Sequence, residues 1–396
     1  MMSTLGSSRR IRCGLMLGGL ANFLALYYVQ PLLPAIAERF DVSASQSTAA
    51  LSVATITLAI ALLFVGPISD AVGRVMIMRV SLTASALLGI AAAFAPTWHS
   101  LLVIRGLQGM ALAGLPAVAL AYVREEAPPD AHLRANATYI TGTALGGAAG
   151  RLLPGPFQAL WGWPGANAAV GALALACAVG LWILLPPSRR FEPASPRPRD
   201  LLRNTGLTLR DPAIMALCLV GAATMGAFVG LCNALTFRLE AAPYLLGGAG
   251  ALVFLAYPVG IPAPHAAGRL AMRRGRGRAA LLGVVVLLAG TLLTASPRLP
   301  VIVTGLGVLT FAFLGTHSLV SGWVSDRAQR VGVGVGQAAG LYLLAYYAGS
   351  SAFGAFAAHQ WQVEGWSGVI AVSAALALAA GLLVILARRL DVARNA

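Results

Sequence analysis

The sequence predicts an all-α membrane protein, with 12 transmembrane helices arranged as two pseudo-symmetric six-helix bundles. The first observation is composition, since 58% of the residues are hydrophobic and only 10% are charged. The second is a succession of twelve apolar stretches of about twenty residues, each long enough to cross a hydrocarbon core of about 30 Å as a helix. The third is a motif that occurs twice, beginning at Gly66 and again 202 residues later at Gly268.

The twelve apolar stretches are predicted to be helices, because backbone groups in lipid must find hydrogen-bond partners within their own segment and no alternating strand pattern is present. The predicted spans are 13–33, 48–68, 76–96, 101–121, 136–157, 166–185, 213–235, 245–265, 279–295, 300–322, 335–357 and 367–387. The first stretch is too long for a signal peptide and eleven more follow it, so we predict an uncleaved first helix. The four cysteines are isolated within spans, so neither a disulfide framework nor a metal site is expected.

The orientation of the spans follows from the basic residues, all 28 of which are arginines. If the N-terminus is cytoplasmic, 23 of them lie in the terminal tails, in the loops on the same side of the membrane or, as Arg79 does, in the first turn of a span on that side. Cytoplasmic loops carry an excess of basic residues, so we predict that both termini are cytoplasmic. The net charge of +15 is then a topology signal, and nucleic-acid binding, which needs a solvated basic face, is not expected.

The longest connection between spans is rich in proline and arginine and predicts a flexible cytoplasmic linker between two halves. The predicted organisation is a cytoplasmic tail over 1–12, a first bundle over 13–185, the linker over 186–212, a second bundle over 213–387 and a cytoplasmic tail over 388–396. Many secondary transporters are built from such repeats, with a substrate site near the midplane of the membrane.

The repeated motif reads Gly66-x-x-x-Asp70-x-x-Gly73-Arg74 and follows the second predicted helix. Asp70 at a helix end can pair with arginine and with backbone N–H groups of a neighbouring helix terminus. Gly66 and Gly73 permit a close approach and a tight turn. We therefore predict a conformational latch that holds the cytoplasmic side shut and is released in the other state; the alternative is a solvated loop charge.

The second copy of the motif follows the eighth predicted helix, at the same place in its six-helix unit. Its residues are Gly268, Gly275 and Arg276, with Met272 where the first copy has Asp70. The second copy is therefore predicted to contribute to gating without an acidic residue of its own.

Two arginines lie more than a turn inside predicted spans, where a charge is costly and usually faces the bundle interior. Arg105 and Gln108 share one face of the fourth helix, and Arg151 follows a glycine face on the fifth that is predicted to serve helix packing. The two cations are expected at similar depths on adjacent helices, where they would repel each other unless negative groups or carbonyls lay between them. All thirteen acidic residues fall at predicted helix ends or in loops, which favours a neutral, zwitterionic or anionic substrate.

Apart from the two arginines, His317 is the titratable side chain that lies well inside a span. Because a histidine can change its charge near neutral pH, it could carry a coupling proton. A hydrogen-bonded packing role is the alternative, and Asp70 is a second candidate for protonation. Other polar side chains recur at helical spacing and could line a cavity or form interhelical hydrogen bonds. They are Asn22, Tyr27, Gln30, Asn233, Tyr342 and Tyr346.

These motifs resemble those of the major facilitator superfamily across essentially the whole chain. The G-x-x-x-D-x-x-G-R loop and the R-x-x-Q-G sequence at Arg105 match two superfamily motifs, with Ala71 where a basic residue is usual. The glycine face before Arg151 lies at the superfamily's antiporter motif but lacks its proline. The segments YVQPLLP (28–34), FAFLGTHS (311–318) and LYLLAYYAGSS (341–351) resemble the YnfM-like branch among twelve-helix drug:proton antiporters.

The resemblance implies a monomeric secondary transporter of a bacterial inner membrane that exports a small organic compound by alternating access. Its partners would be the substrate, protons and the lipid bilayer. The proton gradient would supply the energy, and neither a cofactor nor enzymatic activity is expected. Two alternatives remain: proton-driven uptake of a neutral or anionic nutrient, and a membrane sensor that binds a ligand without transporting it.

Overall fold

The computed structural model describes residues 2–128, 131–188, 191 and 198–393, which form helices and connections without a β-strand. The α-helices are α1 (Met2–Tyr27), α2 (Leu33–Phe40), α3 (Ala44–Ser47), α4 (Ala49–Val72), α5 (Arg74–Ala92), α6 (Trp98–Leu112), α7 (Gly114–Glu126), α8 (His132–Leu152), α9 (Pro154–Leu184), α10 (Pro198–Leu209), α11 (Pro212–Glu240), α12 (Ala263–Arg274), α13 (Arg276–Leu293), α14 (Leu299–Arg330), α15 (Val335–Glu364) and α16 (Trp366–Ala393). Two 3₁₀ segments cover Gln30–Leu32 and Gly247–Gly260. The all-α prediction is confirmed.

Ten helical stretches among the described residues are long and apolar enough to cross a membrane. The fifth and eleventh predicted spans are present as helices α8 and α15 but are not among these ten. Both helices are rich in small and polar residues because they pack closely against protein, α8 on α1 and α15 on α11. At Gly142 and Gly146 of α8, a methyl group would collide with backbone carbonyl oxygens of α1.

The eighth predicted span differs from the prediction, because its first part is a 3₁₀ segment over Gly247–Gly260 and its α-helical part is α12. Glycine and proline disfavour a continuous α-helix here, and Pro258 lies inside the 3₁₀ segment. A short helix, α10, begins at Pro198 within the segment that we predicted to be a flexible linker. Proline is well suited to the first position of a helix because its φ is already helical.

The chain divides into two compact units, which we call the first and second units. The first unit comprises Met1–Asp41, Val53–Pro196 and Leu246–Leu252, and the second comprises Val42–Ser52, Arg197–Leu245 and Val253–Ala396. Residues 1, 129–130, 189–190, 192–197 and 394–396, which include parts of the predicted linker and tails, lie outside the described residues.

The two units share backbone features that occur at matching positions in their sequences. Gly73 and Gly275, 202 residues apart, have φ of 112° and 82° and lie immediately before α5 and α13. Gly162 and Gly365, 203 residues apart, have φ of 63° and 65°, and a tryptophan follows each of them. Residues other than glycine rarely adopt such angles. The internal repeat therefore extends beyond the motif that is visible in the sequence.

Candidate functional site

In the first unit, Arg105 of α6 binds the C-terminal end of α1. Its side chain is fully buried, and its Nη1 and Nη2 donate to the carbonyl oxygens of Ala25 (3.1 Å) and Leu26 (2.9 Å). Nη1 also donates to Oε1 of Gln108, and the guanidinium lies 5.1 Å from the ring centroid of Tyr28. The last carbonyls of a helix lack partners within the helix and carry partial negative charge. Arg105 therefore stabilises the place where α1 ends.

Arg151 of α8 contacts the residues that follow this helix end. Its Nε donates to Oε1 of Gln30 (2.7 Å), and its Nη1 donates to the carbonyl oxygen of Gly147 (3.0 Å). The guanidinium also stacks over the ring of Tyr27 at 4.1 Å. Both arginines thus contact the short stretch 25–30, where carbonyl and amide oxygens supply the partial negative charge that two neighbouring cations require.

The other residues predicted to line a cavity are also buried within their own units. Tyr27 and Gln30 contact Arg151, as described above, whereas both side-chain amide atoms of Asn22 are buried without a hydrogen-bond partner among the described residues. In the second unit, Asn233 of α11 lies close to Gly354 of α15. The structure thus places Tyr27 and Gln30 around a cation and Asn233 between two packed helices.

His317 of α14 belongs to a cluster of aromatic side chains in the second unit. Its Nδ1 lies 2.9 Å from the hydroxyl of Tyr342, with which it shares a hydrogen bond. Its ring centroid is 4.7 Å from that of Tyr346 and 6.1 Å from that of Phe313, which stacks on Phe228 at 4.3 Å. The structure therefore brings His317 together with Tyr342 and Tyr346, which the sequence predicts as polar residues on another helix.

In the first copy of the repeated motif, Asp70 pairs with Arg74 one helical turn later. Arg74 also binds Glu125 at the end of α7 (Nη2 to Oε1, 2.9 Å) and donates to Oγ of Ser69 (2.7 Å). The motif arginine is therefore the centre of a polar cluster that connects the loop to α7. Sequence analysis missed Glu125 as its partner.

The second copy of the motif has a related arrangement. Arg276 forms an ion pair with Asp326 near the end of α14, which corresponds to the pair between Arg74 and Glu125 in the first unit. In each unit the acid follows the motif arginine by about fifty residues, and this common spacing is a signal that could have identified both partners. The predicted close approach at Gly66 is not present, because no described atom lies within 4 Å of the position that a Cβ would occupy; the same holds for Gly268.

Three glycines of the repeated motif offer a test of the turn that Gly73 and Gly275 form. We expect Gly73→Ala and Gly275→Ala each to lower the free energy of unfolding by about 1 kcal/mol or more, because alanine is strained at positive φ. Gly66→Ala is the control, since Gly66 lies inside α4 with open space around it, and it should be neutral or stabilise the helix by up to about 1 kcal/mol. Denaturant unfolding of the purified variants measures these differences. Equal effects at all three positions would contradict a special turn.

A buried charge network in the second unit was also missed by sequence analysis. Arg327 of α14 donates to Asp211 (Nη2 to Oδ2, 2.9 Å) and to Asp391 (Nη1 to Oδ1, 2.9 Å). Arg330 and Trp323 donate to the same Asp391. Asp211 also caps α11, because its Oδ1 accepts from the backbone N–H groups of the helix's second and third residues, both at 3.0 Å.

The pKa of Asp211 indicates that the fold stabilises the ionised form of its side chain. Burial alone would raise the pKa, but the hydrogen bonds from Arg327 and from the two backbone N–H groups outweigh burial and hold the pKa below its usual range. The signal in the sequence was Asp211 immediately before Pro212, which is typical of a helix start. Nothing local, however, indicates that Arg327 lies beside it.

Comparisons with known proteins agree with this architecture. The family model for the Major Facilitator Superfamily matches residues 15–352. The inner membrane transport protein YnfM of Escherichia coli K12 is 39% identical over 376 residues, which cover 94% of this chain and 89% of that protein. The uncharacterized MFS-type transporter YybF of Bacillus subtilis 168 is 36% identical over 363 residues, which cover 91% and 89% of the two chains. The fold is similar to a crystal structure of a bacterial homologue of the human lysosomal transporter Spinster, with a TM-score of 0.73, 14% identity and 96% coverage of both chains.

Proposed function

Because the chain belongs to the major facilitator superfamily of membrane transporters, we propose that it exports a small organic compound in exchange for protons. The proposed location is the bacterial inner membrane with both termini in the cytoplasm, in keeping with the name of the relative from Escherichia coli and the arginine distribution. The protein would work as a monomer by alternating access between its two halves, with the proton gradient as energy source and without a cofactor.

The observation that carries the substrate class is the pair of buried arginines at the end of α1. Arg105 and Arg151 place two permanent positive charges within predicted membrane spans, whereas the described acidic residues lie near helix ends or in connections. An organic anion would gain electrostatic energy near this region, and a cation would be repelled. We therefore propose an anionic or neutral substrate, and an anion in preference.

Proton coupling needs a group whose charge changes during the cycle. His317 is one candidate, because it is a titratable side chain within a predicted span and shares a hydrogen bond with Tyr342. Asp70 is the other, because its protonation would weaken the ion pair with Arg74 and leave Arg74 with Glu125. A His317→Gln variant and an Asp70→Asn variant, each assayed for substrate-driven proton movement in vesicles, separate these two candidates.

The proposed function predicts that Asp70→Asn impairs export. Cells that overproduce the protein should gain resistance to a toxic organic anion, and the substitution should reduce export by about tenfold at an unchanged protein level, as expected for a coupling free energy of about 1–3 kcal/mol. Asp41→Asn is the matched control, because Asp41 ends α2 at φ 50° and asparagine tolerates that conformation. Unchanged export by Asp70→Asn would exclude the latch role.

Transport direction is tested separately in vesicles that contain the purified protein. Export by exchange predicts that the substrate crosses the membrane in the direction opposite to the protons. Proton-driven uptake predicts that substrate and protons cross in the same direction. A sensor would bind the compound without moving it under either gradient. Its binding would still be detected as stabilisation of the purified protein by mass action.

A further inference from the structure

A basic cavity of about 460 Å³ lies at one end of the second unit, apart from the residues proposed above for substrate and protons. Its lining includes Arg274, Arg276, Arg278, Arg388, Trp323 and Asp391. Four arginines thus line a space of this size together with one aspartate. Such a charge pattern favours an anionic ligand.

The cavity lies at the boundary between membrane and water. Four of the apolar helical stretches end at or near it: Gly247–Arg274, Arg276–Leu293, Leu299–Arg330 and Trp366–Asp391. The abundance of arginine assigns this boundary to the cytoplasmic side. Tryptophan concentrates at such boundaries, and Trp323 lies at this one, buried in the protein with its Nε1 donating to Asp391.

The acids near the cavity are already engaged by other groups. Asp391 accepts hydrogen bonds from Arg327, Arg330 and Trp323, none of them one of the four lining arginines. Of those four, Arg276 pairs with Asp326, and Arg274, Arg278 and Arg388 form no ion pair among the described residues. The cavity therefore keeps an excess of positive charge that a phosphate group could neutralise.

An apolar surface continues from this cavity along the two helices that carry Arg278 and Arg388. On α16, the exposed Leu382, Ile385 and Leu386 precede Arg388 by at most two turns. On α13, the exposed Leu282 and Val285 follow Arg278 by four and seven residues and so share its helical face. The two helix ends meet closely, because a Cβ on Gly277 would lie 2.9 Å from Cδ of Arg388.

We propose that this cavity binds the head group of an anionic phospholipid from the cytoplasmic leaflet. The arginines would donate to the phosphate oxygens, for which the planar guanidinium is well suited. The acyl chains would lie along the apolar surface of α13 and α16. Basic pockets between helices on the cytoplasmic side of a membrane can bind such head groups. The combination of charge and adjoining apolar surface favours a lipid over a small inorganic anion.

The test uses the purified full-length protein in a neutral detergent, with phosphatidylglycerol as the probe. Phosphatidylglycerol should raise the melting temperature in a concentration-dependent way, and native mass spectrometry should detect the bound lipid. The combined variant Arg274→Gln, Arg278→Gln and Arg388→Gln should bind it about tenfold more weakly or worse, because each basic group near an anionic head group adds affinity. Arg298→Gln, an exposed arginine at the other end of α13 and α14, is the control and should bind as the native protein does.

Two further ligands test whether the site requires an anionic lipid. Inorganic phosphate tests for a site that binds any phosphate, and phosphatidylcholine tests for an apolar surface that binds any lipid. Phosphatidylcholine, which has no net charge, and inorganic phosphate should each stabilise the protein much less than phosphatidylglycerol does. An equal effect of either one, or unchanged lipid affinity in the combined variant, would overturn the proposal. If the combined variant does not fold, the single variants Arg278→Gln and Arg388→Gln are measured instead, and each should weaken lipid binding by about threefold to fivefold.

Discussion

Replacing Arg327 with methionine is expected to lower the free energy of unfolding by about 3–5 kcal/mol. The guanidinium is almost fully buried and is shared between Asp211 and Asp391, so its removal leaves a buried carboxylate without its main partner. Uncompensated charges of this kind are among the most destabilising changes in proteins. Denaturant unfolding of the purified variant measures the loss.

Arg330→Met is the matched control for this prediction. Arg330 binds the same Asp391, but 42% of its side chain is exposed, and exposed ion pairs contribute about 1 kcal/mol or less. If Arg327→Met lowers the free energy of unfolding no more than Arg330→Met does, burial does not determine how much each arginine contributes to stability.

The same network predicts how stability depends on pH. The folded-state pKa of Asp211 lies below its unfolded value of about 3.9, so its ionised form contributes stability that is fully present above about pH 5. This contribution is lost as the pH falls through the unfolded and then the folded pKa. Asp211→Asn should therefore be less stable than the native protein at neutral pH, and the difference should shrink below about pH 4. A difference that grows on acidification would contradict the assignment.

Much of the fold could be predicted from the sequence because membrane helices depend on local composition. A run of apolar residues must satisfy its backbone within the segment, so hydropathy alone indicates a helix. The same reasoning could not identify the 3₁₀ segment Gly247–Gly260, since hydropathy does not distinguish one helix type from another. Helices α8 and α15 are predicted as the fifth and eleventh spans, yet they are less apolar than the other ten stretches, because a helix that packs on protein does not need an apolar surface.

The charged sites were harder to predict, because their partners are distant in the sequence. Arg74 and Arg105 can be selected from the sequence as residues of interest, since their motifs are local. Glu125 follows Arg74 by fifty-one residues and Asp211 precedes Arg327 by 116, and only the packing of helices brings these pairs together. The position of Asp211 before the seventh predicted span agrees with the expectation that acids lie at helix ends or in loops, but its burial and its arginine partner are not predicted. The correct signal was its position before Pro212, which marks a helix cap.

Arg105→Met is expected to reduce both stability and transport. The substitution leaves the carbonyl oxygens of Ala25 and Leu26, and Oε1 of Gln108, without the donor that now binds them. Each unsatisfied buried acceptor costs about 1–3 kcal/mol, so the free energy of unfolding should fall by about 3 kcal/mol or more. Because the end of α1 also contacts Arg151 through Gln30, we expect export per folded molecule to fall as well.

Arg105→Lys separates the role of charge from the role of shape. Lysine keeps the positive charge but presents one compact ammonium group, whereas the guanidinium reaches Ala25 and Leu26 through two different nitrogens. If the arrangement of donors matters, Arg105→Lys should recover only part of the stability lost in Arg105→Met. If charge alone attracts the substrate, Arg105→Lys should restore most of the apparent affinity for an organic anion that Arg105→Met loses. Gln108→Met, which removes no charge, should then leave that affinity close to native. Full recovery of stability by lysine would show that the end of α1 needs only a nearby cation, and the proposed fit of the guanidinium to the helix end would then be wrong.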